Sequence, residues 1–283
     1  MEEVKGILTR SVLARSILGA EISVYTVGYG KKAVLYVGGV RGNEALLSDA
    51  LAEFLTRIVA LYERGSVAYG YAVREVLAAR RIVVVPCLNP DGISYAREGV
   101  SPDNPLAERV QAICGDEEMS LWRANARGVA LDKNFAAGHR LALEKAWAAG
   151  VCGAHVALWC GEYPESEPES AALARLARSI GEDLLGALEL SLGAGEILAS
   201  CAEKLSAKTG AAGRILARNT GLPLRSPTET PPSGGFFDWC LEELNRPAYR
   251  VSLKNPDTED DAKAKMLLFE QLARALFGFP FMV

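Results

Sequence analysis

Polar and apolar residues alternate through Glu21-Ile22-Ser23-Val24-Tyr25-Thr26-Val27, and after Gly28-Tyr29-Gly30 a second apolar stretch runs through Ala33-Val34-Leu35-Tyr36-Val37. Period-two patterning on either side of a glycine-containing turn predicts two strands arranged like a hairpin. Beyond Gly38-Gly39 the apolar positions switch to helical spacing at Leu47, Leu51, Phe54, Leu55 and Ile58. A strand feeding a helix through glycines marks an α/β unit. The run Ile82-Val83-Val84-Val85 reads as a strand buried on both faces, closed by the turn signal Asn89-Pro90-Asp91-Gly92.

Residues 94–160 show no sustained period and read as a long irregular segment of the kind that builds a site. Helical spacing returns at Glu169, Leu173, Leu176, Ile180 and Leu184, followed by alternation over residues 188–192 that ends at Gly193. Pro223, Pro227, Pro231, Pro232 and Gly234-Gly235 break the chain into an irregular loop. Residues 248–253 form another strand pattern, and Ala262, Met266, Phe269, Leu272 and Leu276 a closing helix. No repeat, low-complexity tract or linker interrupts this order, which predicts one domain over residues 1–283 of three-layer α/β/α type.

Composition narrows the classes. At 283 residues and 49% hydrophobic content the chain can bury a large core. Thirty-one Lys and Arg against 35 Asp and Glu give a net charge of -4 and no broad basic field, so nucleic acid is not an expected partner. No stretch approaches the roughly 18 apolar residues of a membrane span and no signal-like start is present, so a soluble cytoplasmic protein is expected. The six cysteines lack metal or redox spacing and read as free, mostly buried thiols. Only two histidines occur, His139 and His155.

Four stretches carry a resemblance when taken in order: Ser11-Val12-Leu13-Ala14-Arg15-Ser16-Ile17, Gly38-Gly39-Val40-Arg41-Gly42-Asn43-Glu44, Val85-Pro86-Cys87-Leu88-Asn89-Pro90-Asp91-Gly92, and the segment from Asn125 through Arg127-Gly128-Val129 to Asp132-Lys133-Asn134-Phe135. Ser166-Glu167-Pro168-Glu169 and Ser233-Gly234-Gly235-Phe236-Phe237-Asp238-Trp239 extend it. The chain resembles the zinc metallocarboxypeptidases related to carboxypeptidase A, particularly the bacterial murein peptide amidases and γ-D-glutamyl-diaminopimelate peptidases. The resemblance implies a mixed, roughly eight-stranded sheet between helical layers. It also implies one zinc held by a His and a Glu of an HxxE turn and by a later His, with a glutamate as general base.

At those positions the sequence departs from the family. Glu44 keeps the carboxylate ligand, but Arg41 stands where the first histidine belongs and Gly193 where the second does. Neither can ligate zinc. Ser252 occupies the position of the general base and Thr230 that of a mobile tyrosine. The Asn-Arg pair that clamps a terminal carboxylate is replaced by Asp132-Lys133, while the transition-state arginine is retained as Arg123. His139 and His155 fit no ligand spacing and read as structural or surface residues.

The implied outcome is a family member that has lost zinc and hydrolysis and binds a peptide-like or peptidoglycan-derived ligand bearing carboxylates. A hydrolase with an atypical site and a non-enzymatic scaffold are the alternatives. Arg41 is expected to pair with Glu44. Arg41, Arg123, Lys133 and either Arg250 or Lys254 are expected to make the pocket modestly cationic against Glu44 and Asp132, and Phe236, Phe237 and Trp239 to pack in the core.

Overall fold

The structure, a computed structural model, describes residues 6–199, 207–225, 232–258 and 260–283. Its strands are β1 (Leu8–Arg15), β2 (Glu21–Val27), β3 (Lys32–Val37), β4 (Val67–Ala68), β5 (Tyr71–Ala72), β6 (Arg80–Val85), β7 (Leu184–Leu192), β8 (Glu196–Ala199), β9 (Leu224–Arg225) and β10 (Ala248–Leu253). The helices are α1 (Ala45–Arg64), α2 (Val73–Ala79), α3 (Pro90–Glu98), α4 (Ala107–Cys114), α5 (His139–Ala148), α6 (Pro168–Ile180), α7 (Ala207–Thr220), α8 (Phe236–Glu242) and α9 (Asp261–Met282).

Eight strands form one mixed sheet in the order β1-β2-β6-β3-β7-β10-β8-β9, and β4-β5 is a separate small ribbon. The four central strands, β6, β3, β7 and β10, run parallel. The expected hairpin is corrected here: β2 pairs with β1 and β6, and β6 separates it from β3. Alternation shows which residues face a core, and it leaves the neighbouring strand undetermined.

Alternation also divides the central strands between two cores. Val34, Tyr36, Leu188, Leu190, Tyr249 and Val251 face the layer of α1, α2, α7 and α9. Ala33, Leu35, Val37, Ala187 and Ala248 face α6 and α8, where Phe236, Phe237 and Trp239 are buried as expected. The Tyr36 hydroxyl donates to the Leu276 carbonyl of α9 at 2.7 Å, tying the central strand to the last helix.

Three further expectations are revised. The Asn-Pro-Asp-Gly signal opens α3 rather than making a free turn: Pro90 begins the helix and the Asn89 side chain accepts from Gly92 N, capping it. The segment expected to be irregular holds α3, α4 and α5, and a satellite cluster around Tyr95, Val110 and Trp122 packs beneath it. Helix α6 stops at Ile180, and Leu184 already belongs to β7.

Candidate functional site

The carboxyl ends of β3, β7 and β10 lie side by side, the place where open parallel sheets present ligand sites. The turn after β3 delivers Arg41 and Glu44, the end of β7 delivers Leu192 and Gly193, and β10 delivers Arg250 and Ser252. Gly42 fits this turn because a Cβ there would stand 2.6 Å from the Gly92 and Trp122 carbonyl oxygens. The short helical turn at Leu131–Lys133 adds Asp132 and Lys133, and Arg123 comes from the loop before it.

Arg41 is tied into this convergence at several points. Its Nε donates to Asp132 Oδ2 at 2.8 Å, and its Nη1 to Glu44 Oε1 at 3.3 Å and to the Leu192 carbonyl at 3.0 Å. The expected Arg41–Glu44 pair is therefore formed, and Asp132 supplies the shorter of Arg41's two carboxylate contacts. Glu44 Oε1 also accepts from Leu192 N at 2.8 Å. Burial alone would lower the Arg41 pKa, but Asp132 and Glu44 hold its charge more firmly than in water. Burial pushes the Glu44 carboxyl up despite the arginine beside it.

Asp132 is 2% exposed. Burial acts to raise its pKa, yet Arg41, Lys133, Arg250 and Arg123 together hold the carboxyl well below its ordinary range. Lys133 Nζ donates to the Ala157 carbonyl at 3.1 Å and lies 3.5 Å from Asp132 Oδ1. Burial lowers its pKa, with Arg123 and Arg41 adding to the effect and Asp132 opposing it. Asp132 and Lys133, the two residues expected at the family's clamp positions, are thus engaged with their own surroundings. Arg123 differs: its nearest ion-pair contact is Asp132 Oδ2 at 3.8 Å, and its side chain is 34% exposed.

Arg250 falls on the same sheet face as Ser252, and its partner is one that the sequence reading does not single out. Strands β10 and β7 pair Arg250 with Glu189, and the carboxylate accepts from Arg250 Nε at 2.8 Å and Nη2 at 2.6 Å. The guanidinium lies 4.7 Å from the Phe237 ring centre, and its Nη2 reaches the Asp132 carbonyl at 3.3 Å. Lone charges in the apolar runs Leu188-Glu189-Leu190 and Tyr249-Arg250-Val251 are the signal that could have flagged this pair. Lys254 is exposed.

Ser252 is buried, and its Oγ would stand 2.5 Å from a Cβ placed on Gly193. The space in front of Gly193 is a pocket of about 180 Å³ lined by Arg41, Asn43, Arg123, Leu192, Gly193 and Asn255. Thr230 lies outside the described residues. His139 Nε2 donates to the Cys160 carbonyl at 3.1 Å, and His155 Nδ1 accepts from Ala157 N and Leu158 N, so each histidine braces local backbone. Among the described residues, no three His, Cys, Asp or Glu side chains are grouped to hold a metal ion, five cysteines are free thiols, and no helix is long and apolar enough to cross a membrane.

Comparisons with known proteins agree with this architecture. A γ-D-glutamyl-L-diamino acid endopeptidase of Lysinibacillus sphaericus is 24% identical over 244 residues, which is 85% of this chain and 59% of that protein. The chain thus spans less than two thirds of that relative. Carboxypeptidase A from Helicoverpa armigera superposes with a TM-score of 0.69 at 15% identity, covering 98% of this chain and 69% of the other. Murein-tripeptide amidase MpaA from Escherichia coli O157 gives a TM-score of 0.57 at 22% identity over 94% and 91% of the two chains. The zinc carboxypeptidase family model matches residues 3–200, and with that match the chain belongs to the zinc carboxypeptidase family.

Proposed function

We propose that this chain is a family member that does not hydrolyse peptides and that uses its cleft to bind a peptide-like ligand carrying carboxylates, such as a peptidoglycan stem fragment. The observation that carries the reading is Arg41, a permanent cation tied to Glu44, Asp132 and the Leu192 carbonyl at the turn that should supply a neutral histidine. The donors at this turn do not fit a catalytic zinc. Such a site takes three protein ligands and an open position. Here Glu44 is the one ligating side chain at the family positions, its Oε1 already accepts from Arg41 and Leu192 N, and Gly193 brings no side chain. Guanidinium has no lone pair to offer a metal. Ser252, at the position of the general base, has an alcohol pKa far too high to take a proton from water unaided. A peptidoglycan-derived ligand is favoured by the relatives whose printed names specify γ-D-glutamyl-diamino acid and murein-tripeptide substrates.

The test combines metal content with turnover. The purified chain is incubated with zinc, freed of loosely held ions, analysed by mass spectrometry and assayed on a γ-D-glutamyl-diaminopimelate peptide. Expected are no stoichiometric zinc, no hydrolysis, and a rise in thermal midpoint with the uncleaved peptide. One tightly held zinc per chain, or turnover, overturns the reading.

A further inference from the structure

We propose that the position corresponding to the family's metal site is an oxyanion receptor, in which Arg123 and the amides of Asn43 and Asn255 hold a carboxylate or phosphate group in front of Arg41. The proposal rests on the preceding reading that the cleft binds without hydrolysing. It goes further in naming the group recognised and the side chains that recognise it.

The cations of the cleft fall into two kinds. Arg41, Lys133 and Arg250 are committed: each donates to an internal carboxylate or carbonyl at 3.1 Å or less. Arg123 is not committed. Among the described residues it meets one carboxylate, at 3.8 Å, beyond hydrogen-bond reach, and no hydrogen-bond acceptor. A planar guanidinium with its donors unused is suited to a planar or tetrahedral oxyanion. Burial, reinforced by Arg41 nearby, makes the Arg123 charge costly to hold, and a bound anion would remove that cost.

The surroundings agree with this choice. Four cations face three carboxylates, Glu44, Asp132 and Glu189, so one positive charge is left over when all are ionised. Arg123 opens onto the 180 Å³ pocket, which has room for an oxyanion and a short stem. Asn43 and Asn255 are exposed on its wall and carry no internal partner among the described residues, so their amides are available to a ligand. Gly193 lines this pocket with backbone alone. A position that holds a dication in a zinc carboxypeptidase thus presents net positive charge here, and its ligand preference inverts from cation to anion.

Titration calorimetry on the full chain tests this with three probes: N-acetylglycine, its neutral analogue N-acetylglycinamide, and inorganic phosphate. The expected result is that the acid binds, the amide does not, and Arg123→Gln weakens the acid about tenfold or more. Phosphate outcompeting the acid also supports the receptor and assigns the oxyanion to a free phosphate rather than a peptide end. Equal binding of acid and amide, absence of binding by both the acid and phosphate, or unchanged affinity in a folded Arg123→Gln variant overturns the proposal. Should that variant not fold, Asn43→Ala/Asn255→Ala takes its place: weakened acid binding supports the receptor and unchanged binding overturns it. A γ-D-glutamyl-diaminopimelate peptide that binds equally to wild type and Arg123→Gln refutes this receptor while leaving the broader peptide-binding reading intact. Zinc-dependent turnover refutes that broader reading instead.

Discussion

Two buried polar networks lie close together in this molecule and are built on opposite principles. One is a set of neutral braces made by Asn89, Asn125 and Asn134, all fully buried. Asn134 donates to the Cys160 carbonyl at 2.7 Å and to Ser166 Oγ at 2.9 Å, and accepts from Ser170 Oγ and Glu167 N. Asn89 donates to the Ala124 carbonyl at 3.0 Å while capping α3, and Asn125 accepts from Arg127 N and Val129 N. A primary amide offers donors and acceptors together, so each asparagine satisfies backbone groups that a loop cannot pair with its own. The other network, from Arg41 through Asp132 to Arg250, is ionic, and its members mainly neutralise one another. The comparison gives the asparagines of the motifs that carry the family resemblance a task of their own, shaping the loops, and that task needs no metal.

The largest expected effect breaks the ionic side. Asp132→Asn leaves Arg41, Lys133, Arg250 and Arg123 without their shared anion and costs about 3–5 kcal/mol in a denaturant titration at neutral pH. Because the folded state holds the Asp132 pKa well below its ordinary value, its stabilisation is complete above roughly pH 4 and is lost as pH falls through the folded pKa. The variant should lack that part of the acid transition. If its stability at pH 7 equals wild type, the cations do not depend on this carboxylate.

On the neutral side, Asn134→Ala removes several buried hydrogen bonds and should cost about 2–4 kcal/mol with no pH signature of its own. A pH-dependent loss would show that the two networks are electrostatically joined. The smallest effect concerns Glu169, a carboxyl at the edge of the asparagine braces, 3.4 Å from Asn125 Nδ2. Its Oε1 has no hydrogen-bond partner among the described residues, and burial, with Glu167 nearby, pushes its pKa up to about 7. The folded state keeps this proton after the unfolded chain has lost it, so stability falls as pH rises from roughly 4.3 to about 7. Glu169→Gln should remove that decline and gain about 1–3 kcal/mol at pH 8, with little change at pH 4. Equal pH slopes for both proteins would mean that Glu169 ionises normally.

The sequence displays the parts of this site that depend on short spacing. Glu44 follows Arg41 by three positions, and a turn brings them together; Asp132 lies 91 positions from Arg41 and meets it through the fold. The Arg250–Glu189 pair needed the alignment of β10 with β7, which alternation within either strand cannot provide. Helix α4 shows why residues 94–160 hid their helices. It spans eight residues and buries Val110 and Cys114, too few apolar positions to establish a period. Strand β3 was legible because apolar residues dominate both of its buried faces, and the end of β7 because Leu188, Leu190 and Leu192 alternate with Glu189 and Ser191.

The covering of β3 by α9 bears on how the chain comes to fold during synthesis. Leu268, Phe269, Leu272, Leu276 and Phe279 close the core against α1 and the Tyr36 face of the sheet. A ribosome that has delivered the central strands through residue 253 still holds back this covering, so the emerging sheet presents an apolar face to the cell. Docking of α9 is a long-range closure between segments more than 200 residues apart, and such closures are slow and prone to aggregation. Chaperone demand should therefore concentrate in the short interval between the appearance of β10 and the docking of α9.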